Sequence, residues 1–145
     1  MAFTTQRTAA YWALINLQQF LPATPQDGKE WGMMVFRGED PEGGYYYDFQ
    51  WPPYKGQTEN YWQPTVPVPD GTKQVAYCHS HPNNKWFSKT DVLVAKGEIG
   101  GLFVRQKTVF YMVNHSGGYW YDGVTKYLLD DQRSGILWGL HPSKY

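Results

Sequence analysis

The run Tyr77-Cys78-His79-Ser80-His81-Pro82 constrains this chain more than any other stretch, because it forces the backbone to turn at a point rich in chemistry. Lys73 to His79 reads as a strand. Side chains alternate along a strand, so His79 and His81 present both imidazoles on one side. Pro82 has no N–H to give to a ladder, and the strand must end there. Ser88-Lys89-Thr90-Asp91 then precedes an apolar run and reads as a helix start, with Ser88 as N-cap and Asp91 in the first turn, and Gly97 closes the helix. The predicted unit is strand, turn and helix, with a carboxylate returned toward two imidazoles. Cys78 alternates to the opposite face and reads as a buried structural thiol.

Two imidazoles and one carboxylate supply three protein ligands and leave a fourth tetrahedral position for water, the arrangement of a catalytic zinc. Taken alone, a His-x-His pair is as readily an ordinary pair of strand histidines, and Ser88 with Asp91 is also a capping arrangement. The capping and ligand roles are compatible, because a carboxylate held in a first turn can face a metal. Hydrolysis would need a general base, and a Glu from a neighbouring strand is the usual choice. Glu30, at the mouth of the apolar run Trp31 to Phe36, is the candidate. Its plainer reading is a solvated charge at a strand end.

The rest of the chain predicts an alternation of helix and strand. Apolar positions Tyr11, Trp12, Leu14, Ile15, Leu17, Phe20 and Leu21 recur at helical spacing, with Thr4, Thr5 or Thr8 as cap and Pro22 and Pro25 as terminators. Trp31 to Phe36 and Tyr45 to Trp51 read as a strand hairpin over a Gly/Pro/acid turn. Five prolines between Pro52 and Asp70 predict a long irregular loop bordering the site. Gly100 to Arg105 and Val109 to Asn114 read as a hairpin, and Tyr119 to Tyr121 continues the meander. Tyr127-Leu128-Leu129 suggests a short helix, and the tail from Asp130 is ambiguous. His115 reads as a turn residue and His141 as solvated.

Bulk properties narrow the function. With 145 residues and 41% hydrophobic content, the chain suits one globular domain, residues 1–145. Thirteen basic residues balance 13 acidic ones with no Lys/Arg run, which argues against a nucleic-acid partner. A lone cysteine excludes an intramolecular disulfide and any multi-cysteine zinc finger. It also excludes the zinc deaminases, which need a Pro-Cys-x-x-Cys motif. No stretch approaches a membrane span, and the N-terminus lacks a cleavable leader. The expected location is the cytoplasm, or outside the cell by a secretion system that needs no signal peptide. An aromatic content of 18% suits strands and cores, and also suits an aromatic-lined binding surface.

Glu30-x-Gly32 opening an apolar strand, then His79-Ser80-His81-Pro82, then Ser88-x-x-Asp91, resembles the JAMM motif of the MPN-plus (JAB-like) zinc metalloproteases, which remove ubiquitin-like proteins by cutting isopeptide bonds. The likeness covers mainly residues 30 to 104. It implies an α/β fold of the cytidine-deaminase-like kind, a curved mixed sheet flanked by helices. It also implies Zn²⁺ on His79, His81 and Asp91, Glu30 as base, and Ser88 hydrogen-bonding the oxyanion. The spacer from His81 to Ser88 and that from Glu30 to Gly32 are each one residue shorter than is usual in the deubiquitinases. The chain is closer to a compact bacterial branch found at the ends of Rhs-type and other polymorphic toxins. That branch implies a toxin or effector module with a protein or peptide substrate and a cognate immunity protein. Two other readings stay open: a non-catalytic MPN-like or aromatic-rich binding module, and an amidase acting on cell-wall peptide.

Overall fold

The computed structural model of the chain describes residues 2–50, 68–98 and 107–140. Within them the order is α1 (Gln6–Gln18), β1 (Gly32–Glu39), β2 (Tyr45–Gln50), β3 (Lys73–Ser80), α2 (Lys89–Ala95), β4 (Val109–Asn114), β5 (Gly117–Asp122), a 3₁₀ turn (Asp130–Gln132) and β6 (Ser134–Gly139). The strands form one mixed sheet in the order β2-β1-β3-β4-β5-β6. Only β3 and β4 run parallel, and α2 lies in the crossover between them. The other neighbours are antiparallel. This is an α/β architecture, as the alternation of patterns predicts.

Strand alternation divides the core into two layers. On one face Met33, Val35, Ala76, Cys78, Tyr111 and Val113 pack against α1. On the other, Met34, Tyr77, Phe110, Met112, Tyr119 and Tyr121 pack with Phe87 and with Ala95 of α2. Each helix therefore covers one face, and each fully buried Leu or Met contributes roughly 1.5–3 kcal/mol of transfer free energy. Cys78 falls in the α1 layer and is fully buried, as alternation requires, and burial pushes its thiol pKa up.

Helix α1 is capped by Thr5, whose hydroxyl accepts from the Thr8 N–H at 3.1 Å. Its buried stripe differs from the one the large apolar residues predict. Ala9, Ala10 and Ala13 carry much of it beside Leu14 and Leu17, whereas Trp12 is 45% exposed. The alanines let the helix backbone approach the sheet closely, a property that hydrophobic spacing does not register.

The hairpin β1–β2 forms as expected, with Glu39 opposite Tyr45. Strand β5 begins two residues before the predicted piece and pairs tightly with β4 across His115-Ser116, so that Asn114 faces Gly117. One reading of the tail needs correction, and its ambiguous stretch takes a definite form. Residues 126–128 form turns rather than a helix, since Tyr127 and Leu129 are exposed and have no layer to bury against. The run from Ser134 to Gly139 is an edge strand. The part of the predicted proline-rich loop up to residue 67, the predicted strand over 100–105 and His141 lie outside the described residues.

Candidate metal centre

The site sits where β3 ends and α2 begins, at the carboxyl end of a strand with one parallel and one antiparallel neighbour. Such ends are where open α/β sheets gather ligands. His79 is the penultimate residue of β3, and the ladder is extended by the His81 N–H donating to the Val113 carbonyl at 2.9 Å. Both imidazoles are buried, at 2% and 4% exposure. Their Nε2 atoms converge to 3.0 Å. His79 packs edge-on to Phe110, so its ring is fixed by the α2-side core.

Asp91 arrives from the first turn of α2. Ser88 and Asp91 form a reciprocal capping box: the Asp91 N–H donates to Ser88 Oγ at 3.0 Å and the Ser88 N–H donates to Asp91 Oδ2 at 2.9 Å. That same Oδ2 lies 3.3 Å from the Nε2 of His79 and 3.3 Å from the Nε2 of His81. Glu30 comes from the segment before β1, with Oε1 at 3.2 Å from His81 Nε2. The five residues singled out in the sequence thus lie together. Glu30, His79 and His81 form a group whose ligand atoms are all within 4.8 Å of one another and could hold a metal ion. With Asp91 there are two carboxylates around one pair of imidazoles, a donor set suited to a divalent cation.

The electrostatics are those of a dense cluster. Burial disfavours the charged form of His81, but the hydrogen bond and charge of Asp91, aided by Glu30 and the Lys85 carbonyl, hold its pKa above the ordinary value. Burial would raise the Asp91 carboxyl, yet the charge and hydrogen bonds of the two imidazoles hold it well below the usual carboxylate range. The donor atoms are therefore close enough to contend for protons among themselves.

Four residues that the sequence did not single out, Ser80, Trp31, Lys85 and Asn114, set this geometry. Ser80, between the histidines and facing away from them, accepts the Trp31 N–H on its Oγ at 3.0 Å, and its own N–H donates to the Trp31 carbonyl at 2.9 Å. Trp31 also stacks on Phe20 at a centroid distance of 4.3 Å, which secures the residue beside Glu30. The Lys85 carbonyl accepts from His81 Nδ1 at 3.0 Å and from Asn114 Nδ2 at 3.2 Å. Alternation alone places Ser80 opposite the histidines, and an Asn closing the apolar run Val109 to Val113 is a turn signal. The loops are tied as well. The Gln26 N–H donates to the Pro82 carbonyl, Asn83 donates to Asp27, and His115, in its turn as predicted, donates to the Pro22 carbonyl at 2.7 Å. His79 Nδ1 is buried without a hydrogen-bond partner among the described residues.

No helix among the described residues is long and apolar enough to cross a membrane. Comparison with family models, with curated proteins and with solved structures yields no match.

Proposed function

We propose that the chain is a zinc-dependent hydrolase of the JAMM/MPN-plus type that cleaves a peptide or isopeptide amide bond. The observation that carries this reading is the triangle of His79 Nε2, His81 Nε2 and Asp91 Oδ2, with sides of 3.0, 3.3 and 3.3 Å. Ligand bonds of about 2.0–2.1 Å in a tetrahedral zinc site give ligand–ligand separations of about 3.3–3.4 Å. The sides are near that value, and Glu30 Oε1 stands 3.2 Å from one corner, His81 Nε2. The resemblance of the motif to the bacterial JAB-like branch supports the corresponding fold, an effector role, a protein or peptide substrate and an immunity partner.

His79, His81 and Asp91 would hold the ion. When bound, zinc acidifies water and polarises a carbonyl. Glu30 Oε1 accepts the proton of the attacking water and delivers it to the leaving amine nitrogen. Ser88 Oγ accepts the Asp91 N–H as a cap, which leaves its own O–H free to donate to the oxyanion that forms on the substrate.

A second reading is favoured by the same closeness of Glu30: as a fourth protein ligand it would close the site, leaving a structural metal with no position for water. One variant separates the two. Glu30→Gln is expected to bind stoichiometric zinc and to lose hydrolysis of an isopeptide-linked substrate by about 10²–10⁴-fold. His81→Ala and Asp91→Ala are expected to lose the zinc itself. Zinc loss in Glu30→Gln would favour the closed site, and a folded wild type that takes up no zinc would overturn both readings.

A further inference from the structure

Asn114 ends β4 and is fully buried. Its Oδ1 accepts from the Ser116 N–H at 2.8 Å and the Gly117 N–H at 3.2 Å, which closes the β4–β5 turn. That turn uses only the acceptor, which an Asp would provide equally. The amide donor goes elsewhere, to the Lys85 carbonyl at 3.2 Å in the loop between Pro82 and α2. This carbonyl is also the one that meets His81 Nδ1 at 3.0 Å. A carbonyl oxygen has two lone pairs and can hold both donors.

We propose that Asn114 is a positioning residue for the metal centre: by fixing the Lys85 carbonyl it holds His81 as the Nδ1–H tautomer and turns the Nε2 lone pair toward the ion. This rests on reading His79, His81, Asp91 and Glu30 as a metal site. A carbonyl only accepts, so a hydrogen bond to it requires the proton on Nδ1. A proton on Nε2 instead would set the Nδ1 lone pair against an oxygen lone pair and leave Nε2 unable to ligate. Asn114 Nδ2 and His81 Nδ1 are donors that meet the Lys85 carbonyl directly. The loop around it is held by the Gln26 N–H to the Pro82 carbonyl at 3.0 Å, Asn83 Nδ2 to Asp27 at 3.0 Å, the Asn84 N–H to the His81 carbonyl at 3.3 Å, the Lys85 N–H to Asn83 Oδ1 at 3.3 Å and the packing of Trp86 on Tyr119. Asn84 Oδ1 accepts from the N–H and hydroxyl of Ser116 at 3.2 Å each, on the same turn but without reaching that carbonyl.

The test compares zinc affinity, measured against a chromophoric chelator, in wild type, Asn114→Asp and Asn84→Gly. Asn114→Asp keeps the acceptor that closes the turn and sets a carboxylate oxygen where the donor stood. It is expected to bind zinc about 10–100-fold more weakly, as for other outer partners of a ligating histidine. Asn84→Gly loosens the same turn at a residue with φ of 60°, which glycine adopts freely, and is expected to keep wild-type affinity. A long-range ¹H–¹⁵N NMR correlation of the zinc-loaded wild type is expected to show a slowly exchanging proton on His81 Nδ1. An Asn114→Asp protein that binds zinc as wild type does, an equal loss in Asn84→Gly, or a loaded wild type with no Nδ1 proton on His81 would each overturn the proposal while leaving the metal site standing. If Asn114→Asp does not fold, the NMR measurement decides alone. A wild type that takes up no zinc removes the metal-centre reading and this inference together.

Discussion

At the scale of single residues, Ser88 serves two elements at once. Its oxygen accepts the Asp91 N–H and its backbone N–H donates to Asp91 Oδ2, so the cap of α2 and the seat of the Asp91 carboxylate are one structure. The two roles are separable by substitution. Ser88→Ala removes both cap and hydroxyl and is expected to lower stability by about 1 kcal/mol, whereas Ser88→Gly costs only a few tenths. Both lack a donor for an oxyanion, so hydrolysis should fall equally in both if Ser88 acts on substrate. Urea unfolding beside an activity assay measures this, and activity that tracks the stability loss instead would reduce Ser88 to a cap. Why some site residues were legible in the sequence follows from the same locality. His79, His81, Ser88 and Asp91 are placed by strand period and capping chemistry, both of which act over a few residues. Glu30 was legible as an acid at the mouth of an apolar strand and through resemblance to a known motif, but its place was not, because what positions it is a hydrogen-bonded contact of Ser80 with Trp31. Asn114 was missed because its importance lies in a carbonyl on another loop.

At the scale of elements, the approach of α2 to the sheet decides where Asp91 lies. The C-terminus of α2 is joined to the sheet by the Thr108 N–H donating to the Ala95 carbonyl at 2.9 Å, and the Gly123 N–H donates in turn to the Thr108 carbonyl at 2.9 Å. A Cβ built on Gly123 would stand 1.9 Å from the Ala95 carbonyl oxygen and 2.2 Å from its carbon. Those are backbone atoms, which cannot rotate away. Gly123→Ala is therefore expected to push the end of α2 off the sheet and to destabilise the fold by about 1–3 kcal/mol, the usual range for overpacking. Because Asp91 rides on α2, zinc affinity should fall as well. A Gly123→Ala protein with wild-type stability and zinc binding would show that α2 tolerates displacement. The elements that the sequence revealed are those with a strong period or a bounding turn: α1, the β1–β2 hairpin, β3, α2 and β4. Strand β6 was not legible, because Ser134 to Gly139 is a short apolar run bounded by glycine that fits a strand or a buried helix segment equally. Its assignment comes from pairing with β5 across the intervening residues 123–133, a contact that local pattern does not register.

At the scale of the whole molecule, one sheet carries two cores, and each contains a tyrosine whose ionisation the fold resists. Tyr77 lies in the layer facing α2 and Tyr111 in the layer facing α1. Burial pushes both phenols up to about 12, against a partial lowering by Gln74 for Tyr77 and by Gln6 for Tyr111. In the unfolded chain a tyrosine ionises near pH 10, so between about pH 10 and 12 the unfolded state holds fewer protons than the folded one. Stability then falls as pH rises through this window, by up to about 1.4 kcal/mol per pH unit for each tyrosine, and is unaffected by these groups below it. Since Tyr77 on β3 and Tyr111 on the neighbouring β4 sit on opposite faces of the sheet, neither layer can open without disturbing the other. The expected result is a single cooperative urea transition whose midpoint declines from pH 10 to 12, with Tyr77→Phe and Tyr111→Phe each removing part of the decline and the buried Cys78 thiol, also pushed up, supplying another part. A pH-independent midpoint would mean that both phenols reach water in the folded state, and two separate transitions would mean that the layers on the two faces of the sheet fold independently.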